Sequence, residues 1–203
     1  MAIEPKNYPL EGKVEGFLSE KALTEHRDTL YKGYVTQYNN IEAALEKADV
    51  SKANPHFSEW GELKRRETWA HNGVLLHEWY FENIGGTGTK PGAKTTELIN
   101  KDFGNLDNFK AQFLGGGKVA PVGWAVWAYS ILDKKTHVFV VEQHQNHTPW
   151  GAFPLAILDE FEHAYFLDYA TKRPDYLAKF WDNLNWDVIE ARVEKWMKVA
   201  ASI

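Results

Sequence analysis

Asp159-Glu160-Phe161-Glu162-His163-Ala164-Tyr165 follows directly on the apolar run Phe153 to Leu158. The run reads as a buried strand, so Asp159 sits where the strand ends and His163 where the next helix begins. A carboxylate and an imidazole four residues apart at such a junction are both metal-ligand types, and a single ion could hold both. Two ligands do not make a site, so the reading turns on whether other histidines point inward from elsewhere in the chain.

The N-terminal half supplies them. Ser19 can cap a long helix whose inward stripe runs Leu23, His26, Leu30, Tyr34, Tyr38, Ile41 and Leu45, at steps of three and four. A second helix from Ser58 to Gly85 carries Leu63, Ala70, Val74, His77 and Phe81 on its apolar side. Two antiparallel helices with a histidine on each buried stripe form a hairpin that offers two nitrogen ligands. The glycine-rich stretch from Gly85 to Lys94 separates this half from one with both periodicities, and the expected domains are 1–86 and 87–203. Beyond it come short helices around Thr95 to Asn100 and Asp107 to Leu114, then strand patterns at Gly123 to Ile131 and Thr136 to Glu142. Asp133-Lys134-Lys135 is the turn between those strands. The third apolar run ends at Asp159, and helices follow from about His163, Pro174 and Asp187. The expected fold is α+β: a long antiparallel helical hairpin, then a small three-stranded antiparallel sheet flanked by helices.

Composition narrows the chemistry. The chain of 203 residues has no cysteine, which removes disulfides, thiolate ligands and iron–sulfur clusters together. A net charge of −5, with no basic run beyond Lys64-Arg65-Arg66, argues against a nucleic-acid partner. No stretch is long enough to cross a bilayer and Met1 to Lys13 lacks a signal-peptide core, so the expected location is cytoplasmic. Nine tryptophans point to an aromatic interior that keeps water from a site. Gly115-Gly116-Gly117-Lys118 is followed by Val119 and lacks the first glycine of a phosphate loop, so it is set aside. His56, His71, His137 and His147 read as surface or satisfied core residues. His26, His77, Asp159 and His163 remain, three nitrogens and one oxygen, a set that suits redox-active iron or manganese with one position left for solvent.

At this point the residues resemble a known family. The stretch from Asp159 to Tyr165 is similar to the Asp-x-aromatic-Glu-His-Ala-Tyr motif of the iron/manganese superoxide dismutases. Further matches are His26 with Tyr34-Val35, Gly123-Trp124, Arg173-Pro174-Asp175-Tyr176, Phe180-Trp181 and Asn185-Trp186. The resemblance spans nearly the whole chain. It implies disproportionation of superoxide to dioxygen and hydrogen peroxide at a mononuclear iron or manganese site, with iron slightly favoured. It implies that His26, His77, Asp159 and His163 are the ligands and that Tyr34 takes part in proton delivery over the open face.

The family's outer-sphere glutamine or histidine has no counterpart on the second helix, where the position four residues before His77 is Gly73. The resemblance therefore points to His144, with Gln145 the next candidate. It also implies that Glu162 reaches across a dimer interface to the partner's metal histidine, with Tyr165 beside it, in a homodimer or tetramer. Local positive charge is expected at the approach, with Arg173 and Lys32 as candidates.

Several positions depart from the family. Leu30 and Tyr31 stand where it has two adjacent histidines, and Phe166 where it has a second tyrosine. Phe81, Val126 and Phe161 replace tryptophans and Leu76 an asparagine, so a less tightly shaped pocket is expected. Two rival readings are a metal-binding protein of the same fold with reduced or lost activity and a mononuclear iron oxygenase. The latter class prefers two histidines and one carboxylate.

Overall fold

A computed structural model describes residues 2–120, 122–200 and Ser202. Its N-terminal half is the expected helical hairpin, with one departure. Ser19 caps α1 (Glu20–Thr24), its Oγ accepting the Ala22 N–H at 3.1 Å. The helix then runs as a π segment over Glu25–Tyr31 before resuming as α2 (Lys32–Leu45). The wider π turn moves the inward face on by one residue, so His26 is followed by Tyr31 and Val35, both buried, in place of Leu30. Leu30 is left half-exposed, contrary to the 3.6-residue stripe, and Tyr38, Ile41 and Leu45 are half-buried. Ser58 caps α3 (Glu59–Glu82) through the Gly61 N–H at 3.1 Å, and α3 packs back along α2.

α4 (Ala93–Phe103) ends at Gly104, whose φ of 85° lies in the left-handed region. α5 (Leu106–Val119) starts at the Asn105 cap and runs longer than expected. The sheet comprises β1 (Gly123–Ser130), β2 (Lys135–Glu142) and β3 (Ala152–Asp159), antiparallel in the order β2-β1-β3. As the central strand β1 is buried at every position, while Pro154 is tolerated because β3 is an edge. Asn83, just beyond α3, covers that edge: its Oδ1 accepts the Ile157 N–H at 2.6 Å and its Nδ2 donates to the Ile157 carbonyl at 3.1 Å. The hairpin and the sheet are thereby tied together at the strand that ends in Asp159. α6 (Glu162–Tyr169), α7 (Arg173–Asp182) and α8 (Trp186–Ala200) complete the chain. Among the described residues no helix is long and apolar enough to cross a membrane.

The aromatic excess is core: Trp124, Trp127, Phe109, Phe113, Tyr176 and Phe180 are fully buried in one cluster. The glycine run at 115–117 lies inside α5 and lets that helix approach the sheet. A Cβ on Gly116 would come within 2.8 Å of Val138 Cγ1 and 3.3 Å of Ala125 Cβ, whereas one on Gly115 would meet nothing within 4 Å. Val138 is β-branched and fixed in the sheet, so it cannot step aside cheaply. Gly116→Ala is therefore expected to lower the unfolding free energy by about 1–3 kcal/mol, and Gly115→Ala to raise it by roughly 0.5–1 kcal/mol. Denaturant titration of the two variants checks both signs.

Candidate metal centre

Four elements deliver one ligand-type atom each to a single point. His26 comes from the π segment, His77 from α3, Asp159 from the end of β3 and His163 from the first turn of α6. The four atoms lie within 4.8 Å of one another. Asp159 Oδ2 is 3.2 Å from His26 Nε2, 3.8 Å from His77 Nε2 and 3.3 Å from His163 Nε2. His26, His77 and Asp159 are buried, and the His163 side chain keeps 19% of its surface exposed.

Contacts behind the four atoms fix their orientation. His77 Nδ1 donates to the Gly73 carbonyl at 2.5 Å, which leaves the Nε2 lone pair facing the cluster. Asp159 Oδ1 accepts the Phe161 N–H at 2.9 Å, so Oδ2 is the oxygen turned inward, and the Tyr176 hydroxyl donates to the Asp159 carbonyl at 2.8 Å. Phe81 and Phe161 pack edge-on to His26 and face-on to His163, with ring centroids 4.9 Å and 5.0 Å apart.

These residues fit a cation. His26 Nε2 is buried with only the Asp159 carboxylate near it, at 3.2 Å, and a bound ion would take its lone pair. Burial holds the pKa of His26 below its ordinary value, and burial together with the neighbouring His26 holds His77 well below it, so both rings are neutral donors. Burial opposes the charge on Asp159, but His163 and hydrogen bonding toward His163 and His26 outweigh it and keep the carboxyl below the usual range. An anionic oxygen among imidazole nitrogens, with no thiolate, is a donor set for iron or manganese.

His144 and Tyr34 stand beside this cluster. His144 is fully buried, its Nδ1 accepting the Trp124 Nε1–H at 3.0 Å and its Nε2 lying 2.7 Å from the Tyr34 hydroxyl. Indole N–H is only a donor, so Nδ1 carries no proton and the neutral ring must carry its proton on Nε2. Tyr34 then accepts from His144 and its own hydroxyl hydrogen is free to donate. The Tyr34 ring packs at a tilt against His77 and Trp69, each 4.9 Å away between centroids, and a Cβ on Gly73 would lie 2.7 Å from Tyr34 Cδ1. Gly73 is thus the space in which Tyr34 sits. Gln145 makes no contact with Tyr34, its amide reaching only Gln143 at 3.4 Å.

The chain belongs to the iron/manganese superoxide dismutase family. The model of the family described as iron/manganese superoxide dismutases, C-terminal domain, matches residues 91–192. Similar relatives cover nearly the whole chain. A "Superoxide dismutase [Fe]" of Aquifex aeolicus is 39% identical over 97% of this chain and 93% of its own length. One of the same name from Saccharolobus solfataricus is 34% identical over 96% and 94%. A "Superoxide dismutase [Mn] 2" of Haloferax volcanii is 32% identical over 95% of each chain.

The other expected site residues fall out as follows. Glu162 is exposed, beside a hollow lined by His26, Leu30, His163, Phe166 and Leu167, so the two apolar departures Leu30 and Phe166 share one surface. Tyr165 is buried against Tyr176, with centroids 5.3 Å apart. Val126, in place of a tryptophan, and Leu76, in place of an asparagine, line a hollow of about 150 Å³ between α3 and the sheet, and none of the four ligand-type residues lines it.

Arg173 is a correction. It is not a free cation at the approach: its Nε donates to Glu160 and its Nη2 to the Gly117 and Ala120 carbonyls. Glu160 is fully buried, and burial pushes its carboxyl above the ordinary range despite the guanidinium beside it. Lys32 is likewise paired, to Asp28 at 2.7 Å. Sequence reasoning also missed Trp69, although positions 69, 73 and 77 share one helix face, and Asn72, whose neighbour in space is far away in the chain.

Arg173→Ala is expected to cost about 1–3 kcal/mol by leaving the buried Glu160 carboxyl without its hydrogen-bond partner, with the ionic-strength dependence of turnover unchanged. Unaltered stability with a weakened salt dependence would restore a steering role. A second expectation concerns pH. Burial lowers the His144 pKa from 6.5 to about 4, so on acidification the unfolded chain binds this proton first. Its contribution is complete above pH 6.5 and is lost as pH falls toward 4, and over that window it amounts to roughly 3 kcal/mol. His144→Gln should flatten the decline by about that amount when unfolding is compared at equal metal loading. Parallel pH profiles for the two proteins would contradict it.

Proposed function

We propose that this protein is a superoxide dismutase, acting through iron or manganese held by His26, His77, Asp159 and His163, with Tyr34 and His144 as the proton-handling pair. The observation that carries the reading is the convergence of four ligand atoms beside a buried His144–Tyr34 hydrogen bond. When bound, the metal supplies a one-electron couple, so that two superoxide ions and two protons become one dioxygen and one hydrogen peroxide.

The residues of the chain account for the rest. His144 is held neutral by burial and holds its proton on Nε2, which leaves the Tyr34 hydroxyl as the donor toward the open side. Burial and the Asp159 carboxylate raise the Tyr34 pKa, so the phenol keeps its proton across the physiological range. Trp69, Trp124 and Phe161 wall His144, with ring centroids 5.1, 5.8 and 4.9 Å away, and leave its imidazole in an apolar surround.

The reading includes a homodimer or tetramer. It is supported by exposed Phe166 and Leu167, at 48% and 54%, next to exposed Glu162 and partly exposed His163. A second copy over this face would cover apolar surface and bring a carboxylate to the outer nitrogen of His163.

Protein reconstituted separately with iron and with manganese is expected to load one ion per chain and to dismutate superoxide with at least one of them. Metal-loaded protein without activity would leave a metal-binding member of the family and overturn the proposal. Asp159→Asn should lose metal, whereas Tyr34→Phe should keep it and lower turnover at saturating superoxide. Glu162→Ala should shift the assembly toward monomer in sedimentation. An unchanged assembly would remove Glu162 from the interface.

A further inference from the structure

His144 sits in a turn that does not hold its shape by local preference. Gln143 and His147, on either side, have φ of 52° and 63°, left-handed values that L side chains rarely adopt. Such a turn persists only where its surroundings determine it. Glu142 and Asn146 exchange two backbone hydrogen bonds of 3.1 Å across it, and the Gln143 N–H donates to the Val122 carbonyl at 2.8 Å. None of these contacts fixes the His144 peptide itself. That contact comes from α3: Asn72 Nδ2 donates to the His144 carbonyl at 2.8 Å. The other end of the same amide is also engaged, with His71 Nδ1 lying 3.3 Å from Asn72 Oδ1, so one orientation of the amide satisfies both neighbours. Asn72 stands one residue before Gly73 and five before His77, on the helix that carries both the Tyr34 cradle and a ligand-type histidine.

We propose that Asn72 is a positioning residue for His144: it ties the turn to α3, so that the imidazole, Tyr34 and His77 are held in register by a single helix. The inference rests on the dismutase reading for the role of His144, while the clamp itself concerns only the geometry of this turn. Asn72 acts through the backbone, and the imidazole is held separately by Trp124, so losing Asn72 loosens the distance between His144 and the centre without removing a proton-carrying group. In an outer sphere that tunes a metal, such a displacement moves the reduction potential.

The test uses metal-loaded protein in four forms: wild type, Asn72→Leu, His144→Ala and the double variant. Asn72→Leu keeps the branched shape and removes the donor, and Asn72→Ala replaces it if the larger leucine misfits. Two quantities are read, amide hydrogen exchange over 142–147 and the midpoint potential of the bound metal. Loss of Asn72 is expected to speed exchange in the turn by about two- to tenfold, the factor one net hydrogen bond supplies. It should also shift the potential in the wild-type background and leave it unmoved in the His144→Ala background, where the backbone contact remains but the imidazole is gone. Unchanged exchange, or a potential shift of equal size in both backgrounds, overturns the proposal. Both readouts are available whether or not the wild-type protein dismutates superoxide, so failure of the clamp and failure of the dismutase reading give different results.

Discussion

The structure is organised around a buried carboxylate. Asp159 stands fully enclosed at the end of an edge strand with three imidazoles turned toward it, and burial keeps at least two of those rings neutral. A cation among the four donors would offset the cost of burying that charge more fully than the imidazoles alone. Much of the fold serves to keep the donors together. Asn83 anchors β3 to the end of α3, the Phe161 N–H fixes Oδ1 and the Tyr176 hydroxyl the backbone carbonyl of Asp159, and the Gly73 carbonyl fixes the tautomer of His77.

Around this centre the aromatic residues set what can reach it and where protons sit. Trp124 belongs to the core by packing, yet its single N–H decides the tautomer of His144, and the tautomer decides which way the Tyr34 hydroxyl can donate. One hydrogen bond from a core indole thus sets the direction of the hydrogen bond between His144 and Tyr34. Gly73 contributes by having no side chain, since its missing Cβ is the room that the Tyr34 ring occupies. The same logic applies to Gly116, where a missing side chain lets α5 close on the sheet.

The parts of this arrangement that were legible in the sequence are those set by short-range chemistry. Ser19 and Ser58 announced two helices, alternating apolar residues announced the strands, and the motif from Asp159 to Tyr165 announced two of the four converging donors. His144 was reached through the resemblance, which points to it because Gly73 stands where other members carry the outer-sphere side chain on α3. What escaped was set by contacts between distant residues. The π segment has no turn or breaker residue to mark it, so a 3.6-residue stripe misassigned Leu30 and overlooked Tyr31. Arg173 looked like a surface cation because Glu160, thirteen residues earlier, gives no sign of being buried. Asn72 and His144 are 72 residues apart and meet only once α3 lies across the sheet.

The claim on which all of this depends is that His26, His77, Asp159 and His163 hold one redox metal. Anomalous X-ray scattering measured at the iron and manganese edges on crystals of the loaded protein tests it most directly. The account predicts a single peak per chain, among His26, His77, Asp159 and His163. A peak elsewhere in the molecule, or none among these four residues in protein that contains metal, would contradict it.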